Sequence, residues 1–294
     1  MRDHVRRRSI PRLTAIAAIA TALIGLSGAV SSGAQAGPLR QPVPRAASRT
    51  VVPANPFTTR AMRTYLASRR GDITAALYDV RTHTLFLYRP GVTEQTASIV
   101  KVDILETLLH TEQHLYRPLD SDDEYLATGM IEESDNDDAT DLWNEVGGAA
   151  AIARYDSAAG LTDTTPNTAG YWGETMTTAL DQVRLVEHLV FANKLLDAVA
   201  RAYELGLMEH VIPFDRWGIC AGPPAGVTVA LKNGWVPIVD DDWQINSIGY
   251  VHGQGRDYIV AILTNGNLTE GYGITTIEGM SRLIWSRLAP KPKR

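Results

Sequence analysis

The spacing of apolar residues changes period twice along the chain. Ile73-Thr74-Ala75-Ala76-Leu77-Tyr78-Asp79-Val80 and Thr84-Leu85-Phe86-Leu87-Tyr88 are short strand-like runs joined by Arg81-Thr82-His83, which predicts a hairpin. From Ser98 to about residue 208 the apolar residues recur at helical spacing, as in Ile99, Val102, Leu105 and Leu109. Within this stretch Asp137–Val146, Ala149–Ala158, Thr178–Asn193 and Leu195–Leu207 are predicted as separate helices. From about residue 217 the strand pattern returns in Val227–Lys232, Gln244–Val251 and Tyr258–Leu263, the last apolar enough to be central. A helix over Ala61–Leu66, preceded by the capping residues Thr58 and Thr59, opens the series. An amphipathic helix over Ile277–Leu288 closes it.

That order predicts an α+β fold of two lobes. Antiparallel strands from the two ends form one sheet flanked by the terminal helices, and the helical block is an inserted all-helical lobe. The α/β lobe takes 58–95 and 212–294, the helical lobe 96–211. A cleft between lobes is the natural place for a ligand.

The N-terminal residues stand outside this pattern. Arg2, Arg6, Arg7, Arg8 and Arg12 precede an apolar, alanine-rich run from Leu13 to about Val30, and Ala34-Gln35-Ala36 is a small-x-small cleavage site. Residues 1–36 are therefore expected to be a signal peptide cut after Ala36, giving a secreted, extracytoplasmic protein with no stable membrane anchor. Arg7-Arg8 raises twin-arginine export, but the general secretory route fits better because no strong twin-arginine motif is present. No cysteine near the cut argues for a lipid anchor. Residues 37–57 hold five prolines and are expected to be a linker, leaving 58–294 as the catalytic domain.

Cleavage removes five arginines and one aspartate, which moves the formal charge from −5 to −9. An acidic protein is a poor ligand for nucleic acid. The lone Cys220 cannot form an internal disulfide and is expected to be a small buried residue on a strand.

Three segments carry the chemistry. Ser98-Ile99-Val100-Lys101 puts a hydroxyl and an amine one helical turn apart, within reach of each other. Ser134-Asp135-Asn136 lies between two helices. Lys232-Asn233-Gly234 is expected to end the strand Val227–Leu231. Each alone has an ordinary explanation: a capped helix, a helix cap beside a solvated acidic face, and a strand-end turn. Jointly and in this order, they point to one site.

The triplet S-x-x-K, S-D-N, K-N-G resembles the S-x-x-K, S-D-N, K-T-G signature of class A β-lactamases and penicillin-recognising serine hydrolases, over roughly residues 58–290. The resemblance implies a β-lactamase/transpeptidase-like fold and acyl transfer, hence β-lactam catabolism and antibiotic response. Ser98 is implied as the nucleophile, Lys101 as its proton acceptor and Ser134 as a relay to the leaving nitrogen. Asn136, Lys232, Asn233, Gly234 and Trp235 are implied in substrate binding, with Lys232 and Asn233 facing a substrate carboxylate. The backbone N–H groups of Ser98 and Trp235 would form the oxyanion hole. No cofactor and no metal are expected. A small-molecule amide, a β-lactam or a cell-wall peptide is the expected partner, and the protein is expected to be a monomer.

The chain departs from that family in one place. The Glu-x-x-x-Asn segment that activates the deacylating water is absent from 160–175. Glu174 is the one glutamate there, expected as a helix N-terminal acid ahead of a deacylation base, and Asp163 as a turn residue. Efficient β-lactam turnover is therefore less expected than acylation. The alternatives are a D-Ala-D-Ala carboxypeptidase or penicillin-binding protein acting on peptidoglycan, and a non-catalytic binding protein that kept the cleft.

Overall fold

The computed structural model describes residues 54–238 and 242–288. The expected signal peptide at 1–36, with its cleavage site, and the linker from 37 to 53 lie outside the described residues. The expected end of the linker is different. Pro56–Thr58 form one 3-10 turn capped by Asn55, and Phe57 is buried with its ring 6.2 Å from that of Tyr88. A ring packed in the core belongs to the domain, so the domain includes Pro56 and Phe57 rather than starting at 58.

Helix α1 (Arg60–Ala67) starts where the Thr59 hydroxyl accepts from the Met62 amide. Strands β1 (Asp72–Asp79) and β2 (Thr84–Tyr88) form the predicted hairpin, with Leu77 opposite Phe86. Strand β3 (Thr93–Gln95) leads into a 3-10 turn, Ala97–Ile99, and then α2 (Val100–His114). Helices α3 (Ser121–Glu132), α4 (Asn136–Val146) and α5 (Gly148–Ala159) follow. Strand β4 (Met176–Thr178) pairs antiparallel with β3. Helices α6 (Ala179–Val190) and α7 (Ala198–Glu209) complete the block. Strands β5 (Thr228–Pro237), β6 (Trp243–Gly253) and β7 (Arg256–Asn267) precede the last helix, α8 (Glu270–Arg287).

The five-stranded sheet runs β2-β1-β7-β6-β5, every neighbouring pair antiparallel. Side chains alternate across a strand, so a central strand serves two layers. On β7, Tyr258, Val260 and Ile262 join the core under α1 and α8, including Met62, Ile277, Met280 and Ile284. Ile259, Ala261 and Leu263 of the same strand join the other core, with Val102, Leu105, Met130 and Leu142 from the helical block. This matches the expected sheet flanked by terminal helices with a helical insertion. β5 is an edge strand, and its edge carries the site.

Several local expectations need correction. Lys232-Asn233-Gly234 lies inside β5, not at its end, because the ladder with β6 continues to Pro237 opposite Trp243. Cys220 is half-buried in a 3-10 turn, Gly218–Ala221, not on a strand. Glu174 does not cap a helix: α6 begins at Ala179 with Thr178 as its cap. Residues 191–197 are not helical, since the Asn193 side chain accepts from the amides of Leu195 and Leu196 and Asp197 caps α7. Helix α8 starts at Glu270, ahead of the expected Ile277, because Thr269 caps it.

Candidate active site

Ser98 stands at the mouth of α2, at the point where the chain turns sharply. Ala97 before it has φ +46°, a left-handed conformation costly for a residue with a Cβ, and Ser134 across the site has φ +56°. Such strain persists only where the surroundings hold it. Here Asn246 of β6 donates to the carbonyls of Gln95 at 2.8 Å and Thr96 at 2.9 Å. The Thr96 amide donates to the Thr175 carbonyl at 2.8 Å, which ties the same turn to the 160–175 loop. From below, β5 presses on the turn. A Cβ on Gly234 would lie 2.7 Å from the Thr96 carbonyl oxygen, 2.8 Å from the Ser98 nitrogen and 2.9 Å from the Ile99 nitrogen. Only glycine permits that approach, so Gly234 brings the strand edge to the serine backbone.

Two lysines meet behind Ser98. Lys101, one turn further along, is 0% exposed, and Lys232 on β5 is 1% exposed. Lys101 Nζ donates to the Ser134 carbonyl at 2.6 Å and to Asn136 Oδ1 at 2.8 Å, and lies 3.3 Å from the Ser134 hydroxyl. Lys232 Nζ donates to the same Ser134 Oγ at 2.8 Å and to the Asn233 carbonyl at 3.3 Å. Burial is the main cause that lowers the Lys101 pKa to about 6, and the Lys232 charge adds to it. Burial likewise lowers Lys232 to about 7, against the opposing pull of Asp215. A lysine with a pKa near 6 is mostly a free amine at pH 7, with a lone pair to accept a proton. The direct bond expected between Ser98 and Lys101 is not formed: the three contacts of the amine are all to Ser134 and Asn136. Asp135 has the ordinary task of a cap, accepting from the amides of Asp137 and Asp138 at the start of α4.

A cavity of about 650 Å³ opens over Ser98. Asn136, Trp172, Glu174 and Trp235 are among the side chains that line it. The indole of Trp172 covers Lys101, whose Nζ is 5.0 Å from the ring centroid, and its Nε1 donates to Thr140 at 3.2 Å. Glu174 accepts from Asn167 Nδ2 at 3.0 Å and faces the cleft with Ser98. Asp163 is exposed and acts only as a turn residue, its amide donating to the buried Asp181 at 2.7 Å.

Asn233 does not join the others. Lys232 and Asn233 leave β5 on opposite faces, and the Asn233 side chain packs on the 215–218 segment, its Oδ1 3.4 Å from where a Cβ on Gly218 would lie. Its amide donates both protons to backbone, at 2.7 Å to the Asp215 carbonyl and 3.0 Å to the Trp217 carbonyl. The expectation that it offers a polar side chain to a substrate is therefore corrected. Trp235 does reach the cleft and packs edge-on against Trp217, with centroids 5.8 Å apart. Trp172, Asn246 and Asp215 had no signal in the motifs. The signal for Asn246 was a polar residue at a buried position of an apolar strand.

A model of the beta-lactamase enzyme family matches residues 114–288, more than half of the chain. The match includes Ser134 and Lys232 and begins after Lys101. Over 172 residues the chain is 28% identical to the protein named "Putative lipoprotein LppW" of Mycobacterium tuberculosis (strain ATCC 25618 / H37Rv). That match covers 57% of this chain and 54% of LppW, so the chain spans about half the length of the curated relatives it matches. Among solved structures, a beta-lactamase from Chitinophaga pinensis DSM 2588 aligns with a TM-score of 0.68 at 17% identity, over 76% of this chain and 96% of that one. A class A beta-lactamase representative from Bacteroides cellulosilyticus DSM 14838 gives 0.69 at 17%, over 77% and 96%. PBP-A gives 0.67 at 19%, over 78% and 96%. At these identities the likeness is one of fold.

Proposed function

The chain belongs to the beta-lactamase enzyme family, and on that footing we propose that it is an exported serine hydrolase acylated at Ser98 by a β-lactam or a related amide. The observation that carries this is Ser134 Oγ, held between two buried lysines, 3.3 Å from Lys101 Nζ and 2.8 Å from Lys232 Nζ. Lys101 as a free amine takes the Ser98 proton while Oγ bonds the substrate carbonyl carbon. The backbone N–H groups of Ser98 and Trp235 meet the developing oxyanion. The proton returns through Ser134 to the leaving nitrogen as the carbon–nitrogen bond breaks, and water later cleaves the serine ester. Asn136 orients Lys101, and Lys232 supplies positive charge beside Ser134.

Export rests on the arginine-led apolar N-terminal run in the sequence. A second reading, a penicillin-binding protein of the cell wall with a long-lived acyl-enzyme, is favoured by one observation. Trp172 lies over Lys101 where a water and its base would need room.

The test combines a fluorescent penicillin, a chromogenic cephalosporin and a neutral aryl ester, followed by intact mass and absorbance. A mass increment on the protein that is lost in Ser98→Ala supports acylation. Fast release then favours a hydrolase, and slow release the penicillin-binding reading. No increment with any probe and no esterase activity would overturn both and leave a binding protein.

A further inference from the structure

The resemblance implies that a substrate carboxylate anchors on Lys232 and Asn233, and the geometry removes most of that anchor. Asn233 faces away, with both amide protons committed to the carbonyls of Asp215 and Trp217. Reversing its amide would set oxygen against those two carbonyls, so the orientation is fixed by its surroundings. Lys232 lies 1% exposed behind Ser134 and gives two of its three donors to Ser134 and to its own neighbour's carbonyl. Arg216, on the segment that Asn233 holds, is likewise committed, donating to the Glu209 and Val229 carbonyls at 3.0 and 2.8 Å.

The open part of the cleft has the opposite character. Among the described residues no lysine or arginine lines it, and the charged side chain that does is Glu174. Its walls are Tyr171 and Trp172 on one side and Trp235, Val236, Pro237 and Ile238 on the other. An anion entering here loses hydration, finds aromatic and aliphatic walls, and approaches a carboxylate.

We propose that the cleft selects acyl donors without a carboxylate, taking neutral esters or amides whose acyl or leaving group is aromatic or apolar. The proposal rests on acyl transfer at Ser98 and names its substrate class. With an ester donor the bond from Ser98 Oγ to the acyl carbon forms, the bond from that carbon to the leaving oxygen breaks, and the serine proton ends on the leaving phenoxide. Burial, which lowers Lys232 to about 7, further weakens the cation at neutral pH. By the same logic a peptide ending in a free carboxylate is a poor fit, and a penicillin, which carries a carboxylate, should acylate Ser98 more slowly than a neutral donor.

The test uses the full chain with two probes, phenyl phenylacetate and its meta-carboxyphenyl counterpart. Acylation rates are read by intact mass and normalised to each ester's hydroxide rate. The neutral ester should acylate Ser98 at least about fivefold faster, and Val236→Arg, which adds a cation to the wall, should bring the two rates together. Faster acylation by the carboxylate ester, lost in Ser98→Ala, would overturn the proposal while leaving acyl transfer intact. Labelling of Ser98 by a penicillin but by neither ester would overturn the proposal and leave acyl transfer intact; no labelling by any of the three and no ester turnover would overturn both.

Discussion

Changing the pH should turn acylation of Ser98 on and off through the two lysines that share Ser134. At an ordinary lysine pKa of 10.5, about one amine in 3,000 is neutral at pH 7. Lowered to about 6, about nine in ten are, so burial raises the amount of competent base by about three orders of magnitude. From pH 7 to pH 5 the neutral share falls to about one in ten, and the acylation rate should fall about tenfold with it. On the alkaline side Lys232, lowered to about 7, loses the charge it presents to Ser134. The profile should therefore be a narrow bell with its maximum between pH 6 and 7, the two limbs belonging to the coupled pair. Lys232→Met removes the alkaline limb. It also removes the second cause of the lowered Lys101 pKa, so the acid limb should move to higher pH. The assay is the labelling rate with a neutral aryl ester from pH 4.5 to 9, normalised for hydroxide attack. A rate flat from pH 5 to 8, or one still climbing toward pH 10, would refute Lys101 as a base tuned by burial.

Gly234→Ala should cost about a hundredfold in acylation, because the new Cβ must push β5 off the Ser98 turn; unchanged kinetics in a folded variant would show that the approach is not needed. Trp172→Ala should admit water to Lys101, move the acid limb upward and speed release of the acyl group, both read in one labelling and chase experiment. The buried carboxyls of Asp103, Glu106, Asp156 and Glu204 lie in the helical block with pKa values raised, chiefly by burial. Asp156, raised to about 7, keeps its proton in the fold while the unfolded chain loses it near 4. Its contribution is thus complete below about pH 4 and is lost as pH rises to about 7. Asp156→Asn should gain about 2–4 kcal/mol relative to the natural chain between pH 4 and pH 8 in urea unfolding, and a pH-independent difference would count against this.

The sheet, the helical insertion and the meeting of Lys101, Ser134 and Lys232 were legible because each rests on a long periodic run or on residue order. Strands β3 and β4, three residues each, are too short to show a period. Asn233 parts from Lys232 because the strand alternates its faces through a motif that reads in sequence as one unit. Glu174 precedes by five residues the helix that begins at Ala179, and nothing local in the sequence distinguishes a cap acid from a cleft acid. The acids at 103, 106, 156 and 204 occupy the inward faces of helices whose apolar neighbours alone set the pattern. Side-chain burial on three helices decides their state, and that is a tertiary fact.

Strand β7 gives alternate side chains to two cores, and this governs how the molecule comes apart. Neither half can shed its partner without baring one face of the same strand. Unfolding should therefore be a single cooperative event, and the β7 amides should exchange with deuterium only through whole-molecule opening. The cleft over Ser98 inherits that stiffness on its sheet side, where β5 backs the serine turn.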